Sequence, residues 1–578
     1  MFRIYESIKK SIVCYIYIAW LLNKMFSKRL FSTAVKFTEG INLTLTPRQL
    51  CDFECIAAGA FRPLQTFLNQ KDYKSVVRES RLDNGKLWPM PITLDIPKET
   101  RQELEDTGKP LILRDTQFNV LAKMDVNDIF EPDYFTEGEH VFGGDLEHPA
   151  IQYLQHKTHD TCVSGPLQVH QLPLHHDYTH LRLTPDELKS RLPTDKPVVA
   201  FQTRNPMHRA HMELAARAAE QVGGTALIHP VVGLTKTGDI DYHTRIKCYQ
   251  EIIEDGHLLG QPAALSLLPL AMRMGGPREA LWHALIRQNY GATHFILGRD
   301  HAGPGSNSKG EDFYGPYEAR DYALQFQDEL DIQLVPFEMM AYVAEKDAYM
   351  PFSEIPVDLE ATTLSGTEVR RRLQTGEDIP TWFTPTKVVD ILRKSNPPKS
   401  KRGITLFFTG LSGSGKSAIV NGVTAKLHEE TFRSVAVLDG DDVRTFLSSE
   451  LGFSKEHRDL NIQRIGYVAG LVSGAGGIAL TAAIAPYRGT RETAKELVSQ
   501  AGGDFVEVFV NADVETCEKR DVKGLYKAAR AGKIPQFTGV SDPYEAPVIP
   551  DLEIKTGDMT VTESVDAVIK YLKEQNYI

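Results

Sequence analysis

A phosphate-binding loop constrains the fold of this chain more than any other feature. Residues 410–417 read Gly-Leu-Ser-Gly-Ser-Gly-Lys-Ser, a complete Walker A motif, and they directly follow the apolar residues 404–408. In such a motif the backbone amides cradle phosphates, the lysine reaches the β- and γ-phosphates, and the serine holds Mg²⁺. The motif needs a buried strand before it and a helix after it, which predicts an α/β nucleotide-binding domain at the end of the chain. The predicted phosphate-binding residues are Gly410, Gly415, Lys416 and Ser417.

The composition is that of a globular protein with several domains. The 578 residues include 42% hydrophobic and 24% charged side chains, which excludes a wholly disordered, collagen-like or polytopic membrane protein. The formal net charge of -11 gives no reason to expect a nucleic-acid partner. The six cysteines are scattered without zinc-site spacing, so we expect reduced thiols in an intracellular protein and no metal site built from them.

The amino terminus carries several weak signals. Residues 12–22 are apolar, but a membrane span needs about 20 such residues, so no membrane segment is predicted. Met25 begins a basic stretch without acidic residues, which is typical of a weak mitochondrial presequence. A disordered extension, or translation that starts at Met25, is the plainer interpretation. We expect a cytoplasmic protein, with a mitochondrial location as the alternative.

The spacing of apolar residues divides the rest of the chain into segments with different predicted structures. In residues 37–185, short apolar stretches are broken by Gly, Pro and Asp, which favours a mostly β, barrel-like domain. From residue 186, apolar strands alternate with helical segments, which predicts a parallel α/β sheet with its ligands at the carboxyl ends of the strands. The predicted strands are residues 198–202, 226–232 and 294–297, and a helix is predicted at residues 212–222. The Pro-rich, basic residues 395–402 are typical of a linker.

The loop after the first of these strands is rich in groups that bind oxyanions. Arg204 supplies a planar fork suited to a tetrahedral oxyanion, and Gln202 and Asn205 add neutral donors. His208 and His211 share a face of the first helical turn, where they can donate to phosphate oxygens. A metal-binding pair or a structural role is the alternative for the histidines, and the density of donors favours phosphate chemistry.

Three further segments carry groups suited to a nucleotide. Residues 298–306 follow a predicted strand and combine three glycines with an Arg-Asp-His run, so the backbone can approach a ligand closely. Residues 272–278 bring two more arginines. Residues 364–370 open a helix with serine and glutamate at capping-box spacing, for which capping and nucleotide contact both stay open.

Four segments resemble the signature stretches of the ATP sulfurylase (sulfate adenylyltransferase) family: residues 202–214, 229–236, 272–278 and 298–317. The resemblance covers about residues 43–398 and is closest to the fungal form, which carries a kinase-like carboxyl-terminal domain. It implies an α/β multidomain protein: a β-rich, PUA-like barrel, a Rossmann-like nucleotidyltransferase domain, a small third domain and a P-loop kinase-like domain. The corresponding boundaries are 1–36 for an amino-terminal extension, 37–185 for the barrel, 186–340 for the catalytic domain, 341–398 for the third domain and 399–578 for the kinase-like domain.

The resemblance implies the reaction of ATP with sulfate to give adenylylsulfate (APS) and diphosphate, the first step of sulfate assimilation. A sulfate oxygen would attack the α-phosphorus, and no general base is needed because sulfate has no proton to lose. Mg²⁺ would neutralise the polyphosphate, and catalysis would come from positioning and charge stabilisation. The implied catalytic positions are Thr203, Arg204 and Asn205, and the implied sulfate contacts are Gln202, Arg204 and Ala302. The implied ATP contacts are Gln202, Thr203, Arg204, Asn205, His208, His211, Gly298, Arg299, Asp300, His301 and Met340.

The end of the chain resembles adenylylsulfate kinase over about residues 403–572. An active kinase would phosphorylate APS to 3′-phosphoadenylylsulfate (PAPS), whereas in fungal sulfurylases this domain binds PAPS as an allosteric inhibitor. The intact Walker loop favours a kinase. Ala485 in place of the usual serine, Asp442 in place of asparagine and Pro535 in place of lysine favour the regulator, which is the leading interpretation. The implied PAPS or APS contacts are Asp441, Asp442, Val443, Arg444, Arg458, Ile484, Ala485 and Lys523.

The resemblance also implies a homohexamer, with ATP, sulfate and APS or PAPS as its small-molecule partners. The alternative to a sulfurylase is another nucleotidyltransferase that uses the same His-x-x-His phosphate chemistry. Sulfate tested against a phosphorylated acceptor would separate the two, because their acceptor pockets differ.

Overall fold

The computed structural model describes residues 39–236, 239–395, 397–521 and 523–578. The chain divides into two compact units between Thr362 and Thr363. The apolar run at residues 12–22 and the basic stretch after Met25 lie outside the described residues. The finer division into an extension and four domains stays a prediction.

The first unit consists of short strands and helices, which are numbered separately in chain order. Its strands are β1 (Ile41–Thr44), β2 (Leu94–Ile96), β3 (Leu111–Arg114), β4 (Val120–Met124), β5 (Asp128–Phe130), β6 (Thr161–Ser164), β7 (Leu167–Val169), β8 (Val198–Phe201), β9 (Thr225–Ile228), β10 (His257–Leu258), β11 (Gln261–Leu265), β12 (His294–Leu297), β13 (Gln333–Pro336), β14 (Met340–Val343), β15 (Ala348–Pro351) and β16 (Ala361–Thr362). Its helices are α1 (Pro47–Ala57), α2 (Gln70–Glu79), α3 (Lys98–Thr107), α4 (Tyr134–Phe142), α5 (Pro149–His156), α6 (Pro185–Arg191), α7 (Arg209–Gln221), α8 (Tyr242–Ile252), α9 (Gly276–Asn289) and α10 (Glu318–Leu324).

The amino-terminal part of this unit has the predicted short strands, joined by helices that the sequence pattern does not predict. The strands form two sheets, with the orders β1-β3-β4-β7 and β2-β6-β5, and helices α1 to α5 lie between them in sequence. The buried residues of these elements belong to one hydrophobic core that continues into the parallel sheet. The Trp88 and Trp282 rings meet edge to face in this core, with their centres 6.4 Å apart, so the segment before β2 packs against helix α9.

The parallel sheet has the order β10-β11-β9-β8-β12-β13, and β9, β8, β12 and β13 run parallel. Strand β8 is wholly buried, as its run of Val, Val, Ala and Phe predicts. Its neighbours β9 and β12 follow it in sequence but lie on opposite sides, so the strand order reverses at β8. A crevice at such a reversal is the usual ligand site of an open α/β sheet.

Two boundaries in this sheet differ from the prediction. Strand β9 ends at Ile228 rather than at residue 232, and Pro230, which has no backbone N–H to donate to a ladder, stands just beyond it. Helix α7 begins at Arg209 rather than at residue 212, because the extended backbone of His208 already caps it. Both differences place more polar side chains at the end of the sheet.

The second unit contains a parallel sheet around the phosphate-binding loop. Its helices are α11 (Gly366–Thr375), α12 (Thr386–Ser395), α13 (Lys416–Glu430), α14 (Gly440–Phe446), α15 (Lys455–Gly474), α16 (Arg488–Gln500), α17 (Val514–Arg520), α18 (Leu525–Arg530) and α19 (Val561–Glu574). Its strands are β17 (Ile404–Thr409), β18 (Val435–Asp439), β19 (Ile478–Ala482), β20 (Asp504–Asn511) and β21 (Leu552–Lys555), in the order β18-β19-β17-β20-β21. The strand–loop–helix context required by the Walker motif is thus confirmed.

Two local features of the described residues complete the fold. Ser365 caps helix α11 by accepting a hydrogen bond from the Glu368 amide at 3.1 Å, as the capping-box spacing predicts. Across the described ranges, no helix is long and apolar enough to cross a membrane.

Candidate active site

The predicted oxyanion groups of the first unit meet at the carboxyl end of β8. The loop after β8 carries Arg204, whose Nη2 donates to the Gly303 carbonyl at 3.4 Å. The segment after β9 carries Lys236, whose Nζ donates to the Pro304 carbonyl at 2.6 Å. Loops from β8, β9 and β12 therefore border one crevice at the point where the strand order reverses.

A tight turn holds the predicted catalytic residues Thr203, Arg204 and Asn205. The Thr203 hydroxyl donates to the Asn205 carbonyl at 3.0 Å and accepts from the Asn205 amide at 3.1 Å. Tyr249 of α8 donates to the same carbonyl at 2.7 Å. The side chain of Thr203 is thus occupied in shaping the turn, which leaves Arg204 as the charged group that faces the crevice.

Arg204 is paired with a carboxylate that the sequence analysis does not single out. Its Nη1 lies 2.7 Å from Oδ1 and 2.6 Å from Oδ2 of Asp239. The two side chains are only 18% and 13% exposed, so solvent screens their attraction weakly. The Arg204 guanidinium, which is predicted to hold sulfate, is therefore paired with Asp239, a side chain that is negatively charged like sulfate.

A second arginine lies beneath Gln202. The Arg287 side chain is fully buried, and its Nη2 lies 3.5 Å from Gln202 Oε1 and donates to the His229 carbonyl at 3.1 Å. Burial lowers the pKa of Arg287 to about 9, so the guanidinium keeps its charge at neutral pH. Gln202, one of the predicted sulfate contacts, therefore lies beside a buried positive charge.

His208 and His211 lie at the start of α7, as the sequence predicts. The His208 amide donates to His211 Nδ1 at 3.3 Å. Burial, and secondarily the neighbouring His211, lowers the pKa of His208 to about 3, and burial also lowers the pKa of His211. Both rings are therefore neutral near pH 7, and each can donate one N–H to a phosphate oxygen without carrying charge.

The loop after β12 has a strained backbone. Asp300 and Ala302 have φ of 51° and 55°, which is uncommon for residues with a Cβ and concentrates at functional sites. The strain is fixed by two hydrogen bonds, from the Asp300 amide to the Pro316 carbonyl at 2.8 Å and from the Gly276 amide to the Ala302 carbonyl at 3.2 Å. Ala302 is thereby buried and held close to α9.

The side chains of the loop after β12 point in different directions. Arg299 is 48% exposed and pairs with Asp300 at 3.1 Å, so both face solvent. His301 turns inward, and its Nε2 lies 3.0 Å from Nδ1 of the buried His283. Gly298 follows β12, and Met340 is buried at the start of β14.

Several functional candidates escape sequence reasoning. They are Asp239, Glu279, His283 and Arg287. The last three lie on α9, a helix whose residues are nearly all buried. Three ionisable side chains in one buried helix indicate a functional site, because such groups are rarely buried without a partner.

The phosphate-binding loop of the second unit is complete. Gly410, Gly413 and Gly415 have φ of 154°, 77° and 103°, conformations that favour glycine. Lys416 donates to the Gly410 and Leu411 carbonyls at 2.9 and 2.8 Å, so it folds back over its own loop. Burial lowers the pKa of Lys416 to about 8.

A pair of oxygen ligands lies beside this loop. The Ser417 hydroxyl donates to Asp439 Oδ2 at 2.7 Å. Asp439 also accepts from the Asp441 amide at 3.0 Å, which caps α14. A hydroxyl and a carboxylate are the hard oxygen ligands that Mg²⁺ prefers, so these two residues fit the ion that the motif implies. Within the described part of the chain, no cluster of three or more His, Cys, Asp or Glu side chains could hold a metal ion.

The predicted PAPS contacts lie around α14 and α15. Arg444 donates to the Gly452 carbonyl at 3.0 Å, with its guanidinium 4.5 Å from the Phe453 ring centre. Arg458 is 9% exposed, and its Nη2 lies 2.8 Å from Asp542 Oδ2. Both arginines are therefore held in place by fixed partners.

The other predicted contacts differ in exposure. Lys523 and Asp441 form an exposed ion pair, and Asp442 faces solvent. Val443 is buried, and the Ile484 carbonyl accepts from Thr409 Oγ1 at 2.7 Å. Ala485 is 1% exposed with φ of 46°, so the position that carries serine in the kinase is here a buried, strained alanine.

Comparison with known proteins agrees with this arrangement. A family model described as ATP-sulfurylase matches residues 179–395, one described as adenylylsulphate kinase matches residues 402–555, and one described as a PUA-like domain matches residues 21–172. The predicted fold classes are therefore confirmed.

Similarity extends over nearly the whole chain. Sulfate adenylyltransferases of Chaetomium globosum and Emericella nidulans are each 49% identical over 542 residues, which span 93% of this chain and 94% of theirs. Among solved structures, a hexameric APS kinase from Thiobacillus denitrificans is 30% identical, spans 93% of this chain and 94% of its own, and superposes with a TM-score of 0.74. The chain belongs to the sulfate adenylyltransferase (ATP sulfurylase) family, in a form that ends in an adenylylsulfate-kinase domain.

Proposed function

We propose that the first unit is a sulfate adenylyltransferase that converts ATP and sulfate to APS and diphosphate. The observation that carries this proposal is a pair of arginines at the switch point of the sheet: Arg204, in the loop that Gln202 begins, and Arg287, whose Nη2 lies 3.5 Å from Gln202 Oε1. The Arg204 guanidinium, the neutral amide of Gln202 and the buried positive charge of Arg287 together suit a small dianion. The loop after β12 offers backbone close enough to line a nucleotide.

The proposed chemistry follows from this arrangement. Arg204 leaves Asp239 and orients sulfate, so that one sulfate oxygen forms a bond to the α-phosphorus while the bond from that phosphorus to the β-phosphate bridge oxygen breaks. His208 and His211 donate neutral N–H groups to the α- and β-phosphates and to the departing diphosphate. Mg²⁺ bound to the polyphosphate neutralises part of its charge. No proton moves, so the reaction depends on orientation and electrostatic stabilisation.

A product assay tests the first unit. Purified protein is incubated with ATP, Mg²⁺, radioactive sulfate and inorganic pyrophosphatase, and the labelled nucleotides are separated. We expect labelled APS from the wild type, and at least a hundredfold less from Arg204→Met, because the removed fork acts in the transition state. Arg217→Met is the matched control, because Arg217 lies on α7 and its partners are Glu354, 3.6 Å away, and the Tyr349 carbonyl, to which it donates at 3.4 Å. Folded wild-type protein that forms no labelled nucleotide would refute the assignment.

We propose further that the second unit binds PAPS as an allosteric regulator. The residue that favours this role is Ala485, which supplies no hydroxyl where the kinase has serine. Arg444 and Arg458 supply the positive charges for the phosphate and sulfate groups of the ligand. Regulation requires two global states with unequal affinity for PAPS.

An active APS kinase is the second candidate for this unit. The observation that favours it is the complete phosphate loop, in which Lys416 and the Ser417–Asp439 pair stand ready for a Mg²⁺–nucleotide. A pure PAPS sensor has no need of these groups. The product assay separates the two functions: a labelled PAPS band that disappears in Lys416→Ala supports the kinase. APS alone, with sigmoidal inhibition by added PAPS, supports the regulator.

We also propose a homohexamer in the cytoplasm. The hexameric state of the Thiobacillus relative supports this assembly. Light scattering after gel filtration is expected to give about six times the 64.7 kDa chain mass. Fluorescent fusions with and without residues 1–36 test the location: the same diffuse signal from both supports the cytoplasm, and a mitochondrial signal that needs residues 1–36 supports the alternative.

A further inference from the structure

A row of three side chains, Glu279, His283 and His301, connects helix α9 to the loop after β12. Glu279 and His283 lie one turn apart on α9 and face the same way, with His283 Nε2 3.3 Å from Glu279 Oε1. On its other side, His283 Nδ1 lies 3.0 Å from His301 Nε2. Glu279 and His283 are fully buried, whereas His301 is partly exposed. The row therefore leads from the core to the surface of the crevice.

Glu279 is fixed as a charged acceptor at the buried end. Its Oε1 accepts from the Arg273 amide at 3.0 Å, and its Oε2 accepts from the Gly275 amide at 2.8 Å. Burial alone would raise the pKa of Glu279, but the nearby His283 ring and the hydrogen bonds from these amides lower it below the ordinary value. The side chain is thus a carboxylate, which can accept hydrogen bonds and cannot donate them.

This carboxylate assigns the protons along the row. His283 Nε2 lies 3.3 Å from Glu279 Oε1 without the alignment of a hydrogen bond. A lone pair on Nε2 would be repelled by this carboxylate, so the proton of His283 lies on Nε2, and burial keeps the ring neutral by lowering its pKa. Its Nδ1 then carries a lone pair and accepts from His301 Nε2–H. Burial also lowers the pKa of His301 well below its ordinary value, so its Nδ1 keeps a lone pair. Among the described residues, no hydrogen bond occupies that Nδ1.

We propose that Glu279 and His283 are positioning residues that hold His301 as a hydrogen-bond acceptor for a donor group of the nucleoside in ATP. This inference rests on the proposed adenylyltransferase function. An adenosine offers two kinds of donor, the ribose hydroxyls and the adenine amine. A neutral histidine with the opposite tautomer would present an N–H to these donors and repel them.

The Glu279→Gln variant tests the row. The glutamine amide can donate to His283 Nε2, which shifts the His283 proton to Nδ1 and leaves His301 with its N–H facing the nucleoside. One mismatched hydrogen bond is expected to raise the KM for ATP about tenfold, while the KM for sulfate stays within about twofold. Glu137→Gln is the matched control, because Glu137 is a buried carboxylate of the same unit that accepts from Tyr73 at 2.9 Å.

A double-mutant cycle separates positioning from general damage. In a His301→Ala background, Glu279→Gln is expected to change the KM for ATP by less than about twofold, because the group through which it acts is gone. A His301→Gln background is expected to rescue ATP binding, since a glutamine amide rotates to present its oxygen whatever its neighbour does. Full additivity of the two substitutions in an enzyme that makes APS would overturn the inference. Wild-type protein that makes no APS would instead refute the proposed function.

ATP analogues identify the donor. If the amine donates, purine riboside triphosphate, which lacks it, loses its sensitivity to Glu279→Gln while 2′-deoxy-ATP keeps it. If the 2′-hydroxyl donates, 2′-deoxy-ATP loses its sensitivity to Glu279→Gln while purine riboside triphosphate keeps it. Equal sensitivity of both analogues and ATP would leave the 3′-hydroxyl as the donor, and equal sensitivity of 3′-deoxy-ATP as well would overturn the inference. If Glu279→Gln does not fold, His283→Gln goes through the same cycle with the same expected outcome.

Discussion

Arg204 directs one nitrogen of its guanidinium at both carboxylate oxygens of Asp239, with Nη1 2.7 Å from Oδ1 and 2.6 Å from Oδ2. Asp239 is held in turn by the Lys236 amide, which donates to its Oδ2 at 3.1 Å. The arginine proposed to bind sulfate is therefore neutralised within the protein itself. A sulfate dianion has to replace Asp239 before it can use the fork.

The first prediction concerns this replacement. Asp239→Asn keeps the shape of the side chain and removes the competing charge, so the KM for sulfate is expected to fall about fivefold, the equivalent of about 1 kcal/mol for a partly exposed pair. Initial rates at saturating ATP measure this. Asp241→Asn is the control, since that carboxylate caps α8 through the Thr244 amide at 2.9 Å. A higher KM for sulfate in Asp239→Asn would show instead that Asp239 helps to form the site.

The second prediction concerns pH and His148. Its Nδ1 accepts from the Ala150 amide at 3.1 Å and so caps α5, and its Nε2 lies 3.2 Å from the Met274 carbonyl. Burial lowers the pKa of His148 to about 4, against about 6.5 in the unfolded chain. As pH falls from about 6.5 to 4, the unfolded state binds a proton that the folded state does not, so the free energy of unfolding falls in that window.

The measurement compares unfolding of wild type and His148→Gln in urea at pH 7 and pH 5. The wild type is expected to lose about 2 kcal/mol more than the variant between these two values. His140→Gln, at an exposed position of the same segment, is expected to behave like the wild type. Equal pH dependence in wild type and His148→Gln would contradict the assigned shift.

The third prediction concerns Gly403, just before β17. A Cβ at this position would lie 1.6 Å from the Ser473 carbonyl oxygen, so Gly403→Ala forces the backbones of β17 and α15 apart. We expect a loss of at least about 3 kcal/mol of local stability. Hydrogen exchange of β17 amides measures it, as a fall in protection of about a hundredfold.

The control for this variant lies in the same unit. A Cβ at Gly489 of α16 meets nothing within 4 Å, so Gly489→Ala is expected to leave β17 protected and to stabilise its helix by about 0.5–1 kcal/mol. A protected β17 in Gly403→Ala would mean that the strand and helix can separate at low cost.

The fourth prediction concerns Mg²⁺ at the phosphate loop. ATP is expected to slow hydrogen exchange of residues 410–417, and Mg²⁺ is expected to increase that protection, because Ser417 and Asp439 offer it two oxygen ligands. Ser417→Ala should remove the increment due to Mg²⁺ and keep part of the protection by ATP alone. Ser412→Ala, in the same loop, should keep both effects. An increment that survives in Ser417→Ala would rule out this ligand.

Much of the fold can be predicted from residues that lie close together in the sequence. The Walker motif after an apolar strand predicts the fold around Lys416, and the residues after β8 predict an oxyanion site around Arg204. The fold prediction is confirmed, and the oxyanion site stays a prediction. Both can be made because the strand, the loop and the helix lie within one short stretch of chain. The helices α1 to α5 escape the same approach because each is short and lies among many turn residues, although α2 buries Tyr73, Val76 and Val77 at helical spacing.

What the sequence by itself determined is the set of local elements and the chemistry that each strand end carries. Only the tertiary structure decided that Asp239 neutralises Arg204, and that Glu279 and His283 stand behind His301. These pairs join loops and helices that are distant along the chain, and their strength depends on burial that exists only after the sheet and its core have closed. A side chain's type can be read from the sequence, but its charge state and partner follow from the surroundings that folding creates.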